Sequence, residues 1–126
     1  LGNSGGQKFW SWYGFESRVE WCACFASWCA EQSGMVASGQ VLKFSSCAVG
    51  ASWFQGQGRW KGKGYTPSAG DFIFFDWNKY GQVDHVGIGV NVANGRVNTI
   101  EGNTSNMVAR RSYQLGGIVI VGYGYI

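Results

Sequence analysis

The stretch Trp21–Gln32, with the sequence WCACFASWCAEQ, decides the fold that we predict for this chain. Its apolar residues recur at helical intervals, which indicates a helix that packs one stripe against a sheet. Cys22 lies near the start of this helix, where unpaired backbone N–H groups and the helix dipole favour a thiolate, the nucleophilic form of cysteine. The predicted sheet-facing stripe comprises Trp21, Cys22, Phe25, Trp28, Cys29 and Gln32.

The start of this helix has two interpretations. Ser17 and Glu20 match a capping box, which would start the helix at Ser17 and bury Cys22 one turn inside it. A nucleophilic role requires Cys22 in the first turn instead. We therefore expect the helix to begin near residue 20 or 21 and to run to about Ser33, with Gly34 as its stop.

Composition indicates a single sheet-rich domain. Among the 126 residues, 21 are glycine and 17% are aromatic, whereas only 13% are charged. We assign residues 9–126 to one domain and the polar, Gly-rich residues 1–8 to a linker or cloning boundary. The chain looks like a module cut from a larger protein, and we expect it to be a monomer.

The charge distribution suggests no nucleic-acid partner. The net charge is +3, and the basic residues are scattered apart from the run Arg59–Lys63. That run fits contact with an anionic polymer and a solvated loop about equally well. No long apolar segment is present, so no membrane partner is expected.

The four cysteines have no zinc-site spacing, because the paired C-x2-C knuckles are missing, and we predict no metal. Cys22 and Cys24 lie about 200° apart at about 100° per helical residue, so they cannot bridge each other. A bridge between Cys29 and Cys47 remains open. Otherwise Cys24, Cys29 and Cys47 are expected to be small buried side chains.

Short strands and turns are predicted for the rest of the chain. Asp71–Trp77 is almost continuously apolar and indicates a central strand, and Val83–Val92 indicates the next. Further predicted elements are helical pieces at 41–44 and 51–54, a basic loop at 56–65, turns or loops at 78–82 and 104–106, and strands at 108–112 and 118–123.

His85, the only histidine, lies on the same face of its strand as Gly87 and Gly89. Glycines leave open space above a sheet face, as a cleft requires. We therefore predict that His85 is a base with open space above it, as in a cleft, although a surface or merely structural histidine remains an alternative.

The turn after this strand sets which residues face His85. If Asn94–Gly95 were a two-residue turn, Glu101 would lie on the wrong side of the sheet. A three-residue loop, 93–95, with Gly95 in a left-handed conformation, would pair Gly87 with Glu101 and His85 with Asn103. We predict the three-residue loop, which brings Glu101 and Asn103 to the face of His85.

A cysteine nucleophile needs a base, and the base needs a partner that fixes its tautomer. Cys22, His85 and either Glu101 or Asn103 can supply these roles. The backbone N–H groups at the start of the helix can stabilise the negative charge that develops on a substrate carbonyl. These residue types support an amide-cleaving cysteine enzyme.

Four blocks resemble the CHAP family (cysteine, histidine-dependent amidohydrolases and peptidases) of the papain-like and NlpC/P60 group. In order they are residues 20–29 (EWCACFASWC), 67–75 (PSAGDFIFF), 84–88 (DHVGI) and 100–103 (IEGN). The resemblance implies an α+β fold with the nucleophile helix on an antiparallel sheet of about five or six strands. It also implies that Cys22 is the nucleophile, His85 the base, Glu101 the orienting acid and Asn103 a supporting polar group.

The implied activity is hydrolysis of bacterial peptidoglycan, either as an endopeptidase on stem or cross-bridge peptides or as an N-acetylmuramoyl-L-alanine amidase. Such modules commonly act at the bacterial cell wall, in secreted hydrolases or phage endolysins, beside a wall-binding or second lytic domain. Some relatives bind calcium through an Asp-rich loop ahead of the nucleophile, but this chain has no Asp before residue 71. We therefore predict no cofactor.

Aromatic residues provide the candidates for substrate binding. We predict that Trp10, Trp12, Tyr13 and Trp77 line a substrate groove, although the segment 9–15 is also suited to covering the core. A non-catalytic wall-binding module remains an alternative, as does an acyltransferase that uses the same triad. The aromatic surface of a binding module would comprise Trp10, Trp12, Tyr13, Trp53, Trp60 and Trp77.

Overall fold

The computed structural model describes residues 2–78 and 81–126, and in these residues three helices pack against a six-stranded antiparallel sheet. The sheet order is β1-β6-β2-β3-β4-β5. This arrangement confirms the predicted α+β architecture. The elements are α1 (Gln7–Tyr13), α2 (Cys22–Gln32), α3 (Cys47–Gly56), β1 (Trp60–Gly62), β2 (Phe72–Phe75), β3 (His85–Ala93), β4 (Arg96–Thr104), β5 (Met107–Gln114) and β6 (Ile120–Gly124).

The strand β2 lies inside the sheet, between β3 and β6, and all four of its residues are buried. A strand covered on both faces needs apolar side chains in both directions, which explains its continuous apolar sequence. Within residues 2–78 and 81–126, no helix combines the length and the apolar character needed to cross a bilayer.

The helix α2 begins at Cys22, one residue later than the latest predicted start, and Ser33 is its C-cap. Its N-cap Trp21 makes no side-chain capping bond, so the capping box at Ser17 is not used. The turn that follows contains Gly34 at φ 79°, as its predicted stop requires. Cys22 therefore stands at the first helical residue, where its sulfur is nearest to the unpaired N–H groups.

Small side chains pack α2 against the sheet, together with Cys22 and Phe25 of the predicted stripe. Ala23, Ala26 and Ala30 belong to the same buried cluster as Phe74 and Val86 of the sheet. The alanines allow the helix and the sheet to approach closely. Gly102 of β4 contributes to this approach, because a Cβ atom there would lie 2.4 Å from the Cβ of Phe25.

The aromatic segment near the N-terminus forms α1, a helix that was not predicted. Phe9 is buried, and its ring stacks on Trp21 at 5.7 Å and contacts the edges of Phe25 and Trp28. Ahead of α1, the residues that were predicted to belong to a linker hydrogen-bond to the end of the sheet, through Gly2 with Val108 and Gly5 with Asn106. The assignment of residues 9–126 to a single domain stays a prediction.

Three local expectations need correction. The segment 41–44 is not helical, because the backbone N–H and C=O of Phe44 both hydrogen-bond to the hydroxyl of Ser27. The predicted helical piece 51–54 is part of the longer helix α3, and the predicted basic loop contains the short strand β1. In the predicted turn 78–82, residues 79 and 80 lie outside the described residues.

The β3–β4 hairpin has a two-residue turn, so the predicted three-residue loop is wrong. Ala93 pairs with Arg96, and Asn94 and Gly95 have φ values of 55° and 73°, which suit a tight hairpin turn. The extra residue lies earlier in the chain, within β3, where a bulge at Val90 shifts the register between Gly89 and Asn91. Beyond the bulge Ile88 pairs with Ile100, and the same offset sets Gly87 opposite Glu101, as predicted.

Candidate active site

Cys22, His85 and Glu101 come together where the start of α2 meets the start of β3. The Nε2 atom of His85 lies 2.8 Å from Oε1 of Glu101, and Cys22 is close enough to the imidazole to shift its pKa. Because Nε2 contacts the carboxylate, Nδ1 is the ring nitrogen left for the sulfur. The relative exposures are 5% for Cys22, 2% for His85 and 0% for Glu101, so the site is largely shielded from water.

The space above Gly87 is filled by the side chain of Glu101. A Cβ atom at position 87 would lie 2.7 Å from Cγ of Glu101. The expectation of an open cleft above these glycines is therefore wrong, and His85 is buried rather than exposed. The glycine instead allows the carboxylate to cross the strand and reach the imidazole from a diagonal position.

The imidazole is held in its charged form by its two partners. Burial alone would lower the pKa of His85, but hydrogen bonds and charge interactions with Cys22 and Glu101 outweigh burial and raise it from 6.5 to about 9. At neutral pH the base side of the site is therefore an imidazolium beside a carboxylate.

The pKa of Cys22 is shifted in the opposite direction, which favours the thiolate. A hydrogen bond from Cys47 is the largest cause that lowers the pKa of Cys22 well below its ordinary value, and it acts against burial. The hydrogen bond and positive charge of His85 lower this pKa further, as does the backbone N–H of Val86. The lowered pKa of Cys22 and the raised pKa of His85 both favour a thiolate–imidazolium pair, the reactive form of a cysteine nucleophile.

Two hydroxyl groups that sequence reasoning missed hold the other oxygen of Glu101. Thr99 donates to Oε2 at 2.5 Å and Tyr113 donates to it at 2.8 Å. With His85, they give the buried carboxylate three hydrogen-bond donors. Thr99 could have been found from the sequence, because residues two apart on a strand share a face. Tyr113 belongs to β5, and its approach depends on the pairing of β4 with β5.

Trp77 covers the imidazole. Its ring stacks on His85 with centroids 3.8 Å apart and planes 21° apart, and the residue is 39% exposed. The carboxylate of Asp84 fixes this position by accepting hydrogen bonds from the backbone N–H groups of Trp77 and Asn78. A stacked indole also favours a cation beneath it, which supports the protonated form of His85.

Asn103 is not brought to His85. Its side chain accepts a hydrogen bond from Arg18 at 2.9 Å and donates a short one to Glu20, and its backbone has φ 57°. Asn106 accepts from the same Arg18 and from the indole of Trp21. These contacts tie the β4–β5 turn to the segment just ahead of Cys22, so Asn103 holds that segment rather than the imidazole.

The other predicted groove residues lie on α1, and their described contacts are with residues outside the triad. Trp10 donates its indole N–H to the carbonyl of Gly5 and packs in the cluster of Phe9. Trp12 and Tyr13 are half-buried, and the ammonium of Lys43 lies 4.6 Å and 4.7 Å from their ring centroids. Of the four aromatic residues predicted to line the groove, Trp77 is the one that touches the triad.

All four cysteines are free. Cys24 is buried as expected, whereas Cys29 is only partly buried, and burial raises the pKa of each to about 11. Cys47 is more than a small buried side chain, because its sulfur lies 3.4 Å from that of Cys22. Within the described part of the chain, no group of three or more His, Cys, Asp or Glu residues is arranged to hold a metal ion.

Comparisons with solved structures support the fold. Two crystal structures of Ly7917 share the fold, one of them solved with the hydrolyzing product of MDP. That structure has a TM-score of 0.54 and 20% identity, over 81% of this chain and 52% of the other. The second has a TM-score of 0.53 and 19% identity, over 81% of this chain and 51% of the other. This chain therefore spans about half the length of the solved chains.

Among curated proteins, a search finds no significant match. The family model of the CHAP domain matches residues 12–103, which is well over half of the chain and includes Cys22, His85 and Glu101. The chain therefore belongs to the CHAP family.

Proposed function

We propose that this chain is a peptidoglycan hydrolase that cleaves an amide bond through a thioester intermediate. The observation that carries the proposal is the buried group formed by Cys22, His85 and Glu101, in which Glu101 hydrogen-bonds to the imidazole at 2.8 Å and Cys22 interacts with the same ring. Membership of the CHAP family supports the substrate class. The bond is an amide in the stem or cross-bridge peptide, or the N-acetylmuramoyl-L-alanine amide.

The roles follow from the charges at the site. The Cys22 thiolate attacks the carbonyl carbon, and the backbone N–H groups at the start of α2 stabilise the oxyanion that forms. The His85 imidazolium then gives its proton to the leaving amine, which leaves a thioester on Cys22. Neutral His85 next takes a proton from water, the resulting hydroxide attacks the thioester, and the acid product leaves as the thiolate is restored. Glu101 keeps the imidazole oriented and stabilises its charged form.

The surroundings of the triad support this assignment. A wall-binding module needs exposed aromatic rings but has no need for a buried carboxylate with three hydrogen-bond donors. Trp77 can both contact substrate and cover the imidazole, because its ring stacks on His85 and the residue is partly exposed to solvent. We propose that Trp77 forms the wall of the substrate groove nearest the chemistry.

The remaining proposals concern biological context. Action on peptidoglycan places the protein at the bacterial cell wall, either after secretion or after release as part of a phage endolysin. Since the chain covers 52% of one solved relative, we also propose that a wall-binding or second lytic domain accompanies it in the full-length protein.

Digestion of purified peptidoglycan tests the proposal. We expect soluble fragments that carry new amines, and mass spectrometry distinguishes a free L-Ala amine from a free stem or bridge amine. The matched control is Cys22→Ala, which should release none. Wall binding without any amine release would support a non-catalytic module instead, and products joined to an added amine would indicate acyl transfer.

A further inference from the structure

A second sulfur contacts the proposed nucleophile. Sγ of Cys47 lies 3.4 Å from Sγ of Cys22, although 25 residues separate the two cysteines in the chain. Both side chains belong to one buried cluster, and Cys47 is only 9% exposed. A thiol at this distance can donate its proton to a thiolate. The chemistry of a Cys-His-Glu triad does not by itself require this contact.

The two sulfurs stand at two helix starts. Cys22 is the first residue of α2 and Cys47 is the first residue of α3. Ser46 fixes the start of α3, because its hydroxyl accepts the backbone N–H of Val49. The positive ends of both helix dipoles are therefore directed at one pair of sulfur atoms, which favours a single negative charge on the pair.

The neighbouring groups decide which sulfur carries that charge. The His85 imidazolium hydrogen-bonds to Cys22 and lowers its pKa. The pKa of Cys47 is raised, first by its hydrogen bond to Cys22, then by burial and by the negative charges of Cys22 and Asp84. Lys43 acts on Cys24 rather than on the pair. The charge is thus on Cys22 and the shared proton on Cys47.

We propose that Cys47 is a further residue of the reacting centre, whose S–H donates a hydrogen bond to the Cys22 thiolate and so maintains the nucleophile in its charged form. The proposal rests on the proposed function, in which Cys22 is the nucleophile. Cys47 exchanges no electrons and keeps its proton through the cycle. When the thioester forms, the Cys47 S–H no longer has a negatively charged Cys22 sulfur to accept its hydrogen bond. Deacylation restores that acceptor.

The test is the pH dependence of Cys22 alkylation by iodoacetamide, measured under a phosphine reductant and assigned to Cys22 by peptide mass spectrometry. In Cys47→Ala we expect the titration midpoint of Cys22 to rise by about one pH unit. Alkylation well below the midpoint then slows about tenfold, which corresponds to about 1.4 kcal/mol. Cys47→Ser keeps a donor and should recover part of the shift. Cys24→Ala, which removes another buried thiol of α2, should leave the midpoint unchanged.

Two precautions separate the outcomes. Cys47→Val also lacks a donor but fills the space, so it replaces Cys47→Ala if the smaller side chain prevents folding as judged by circular dichroism. An unchanged midpoint in both donor-free variants overturns the proposal, as does an equal shift in Cys24→Ala. Because alkylation needs no peptidoglycan, these results are independent of hydrolysis. A wild-type Cys22 with an ordinary midpoint would instead count against Cys22 as the nucleophile.

Discussion

The two sides of the active site are assembled in different ways. On the base side, His85 and Glu101 come from neighbouring strands of one hairpin, 16 residues apart. On the sulfur side, Cys22 and Cys47 come from the starts of two helices that meet only in the folded core. The base side depends on strand register, whereas the sulfur side depends on how α2 and α3 pack. Variants of the two sides should therefore fail in different ways.

Loss of the nucleophile gives the largest effect. We expect Cys22→Ala to reduce the hydrolysis of purified peptidoglycan at least about a thousandfold, because no other described thiol hydrogen-bonds to the imidazole. Cys24→Ala, two residues along the same helix, should retain activity. The reverse result in an amine-release assay would show that the wrong cysteine has been assigned.

Loss of the orienting carboxylate should come next. We expect Glu101→Gln to lower kcat by about a hundredfold to ten-thousandfold, because the imidazole loses its anionic partner. Because the pKa of His85 is raised to about 9, the imidazole is protonated below that pH and becomes neutral as the pH rises through it. Glu101→Gln lowers this pKa, so the alkaline limb of the kcat profile should move to lower pH. An unmoved alkaline limb would contradict the assignment of that limb to His85.

A methyl group on the strand should disturb the base side without removing any reacting group. In Gly87→Ala the new Cβ would lie 2.7 Å from Cγ of Glu101, so the carboxylate must move. We expect about a tenfold to hundredfold fall in kcat, and about 1–3 kcal/mol of lost stability in chemical denaturation.

Gly89→Ala is the matched control, because it lies on the same face of β3. Its Cβ would lie 3.4 Å from the nearest heavy atom, the carbonyl oxygen of Ser68, which is an ordinary contact. Equal losses of kcat in the two variants would mean that any added side chain on this strand is harmful. The position of Glu101 above Gly87 would then not be the reason why Gly87 is needed.

Removing one support of the carboxylate should have a smaller effect. Tyr113→Phe deletes one of the two hydroxyl donors to Oε2 and leaves Thr99 in place. We expect kcat to fall about threefold to tenfold with little change in KM, which corresponds to one hydrogen bond of about 1 kcal/mol. Tyr125→Phe removes a hydroxyl that bonds to Gly58 at the surface, and it should leave kcat unchanged. A change in KM alone would instead indicate that Tyr113 binds substrate.

Chelation should have the smallest effect. Calcium binding requires several oxygen ligands, and the sequence has no Asp-rich loop ahead of Cys22, since its first Asp is Asp71. We expect hydrolysis to continue unchanged in EDTA. Loss of activity in EDTA that Ca²⁺ restores would contradict this prediction.

The base side shows how far strand alternation can be used. The alternation of β3 placed His85 and Gly87 on one face, and the need for an acid near His85 selected the correct pairing of Gly87 with Glu101. The position of the extra residue was wrong, since it lies in a bulge at Val90 rather than in the turn. A bulge and a longer loop change the register by the same one residue, so alternation cannot distinguish them.

The aromatic residues show where local patterns fail. The cluster Phe9–Phe15 has no helical punctuation at its start, yet it forms α1 because Phe9 packs on Trp21 and Phe25. Whether a ring covers the core or lines a groove depends on what lies beside it. Trp77 was selected for its chemistry alone, and its stack on His85 depends on Asp84 holding its backbone.

The sequence by itself determined the class of the protein: a helix with Cys22 near its start, a strand that carries the only histidine, and four ordered blocks that resemble the CHAP family. These are local features, expressed through helical spacing, strand alternation and side-chain chemistry. The tertiary structure alone decided that Cys47 contacts Cys22, that Tyr113 supports Glu101, and that Asn103 binds Arg18 and Glu20 instead of His85. Each of these contacts joins distant segments, and their distances are set by the packing of helices and strands rather than by spacing along the chain.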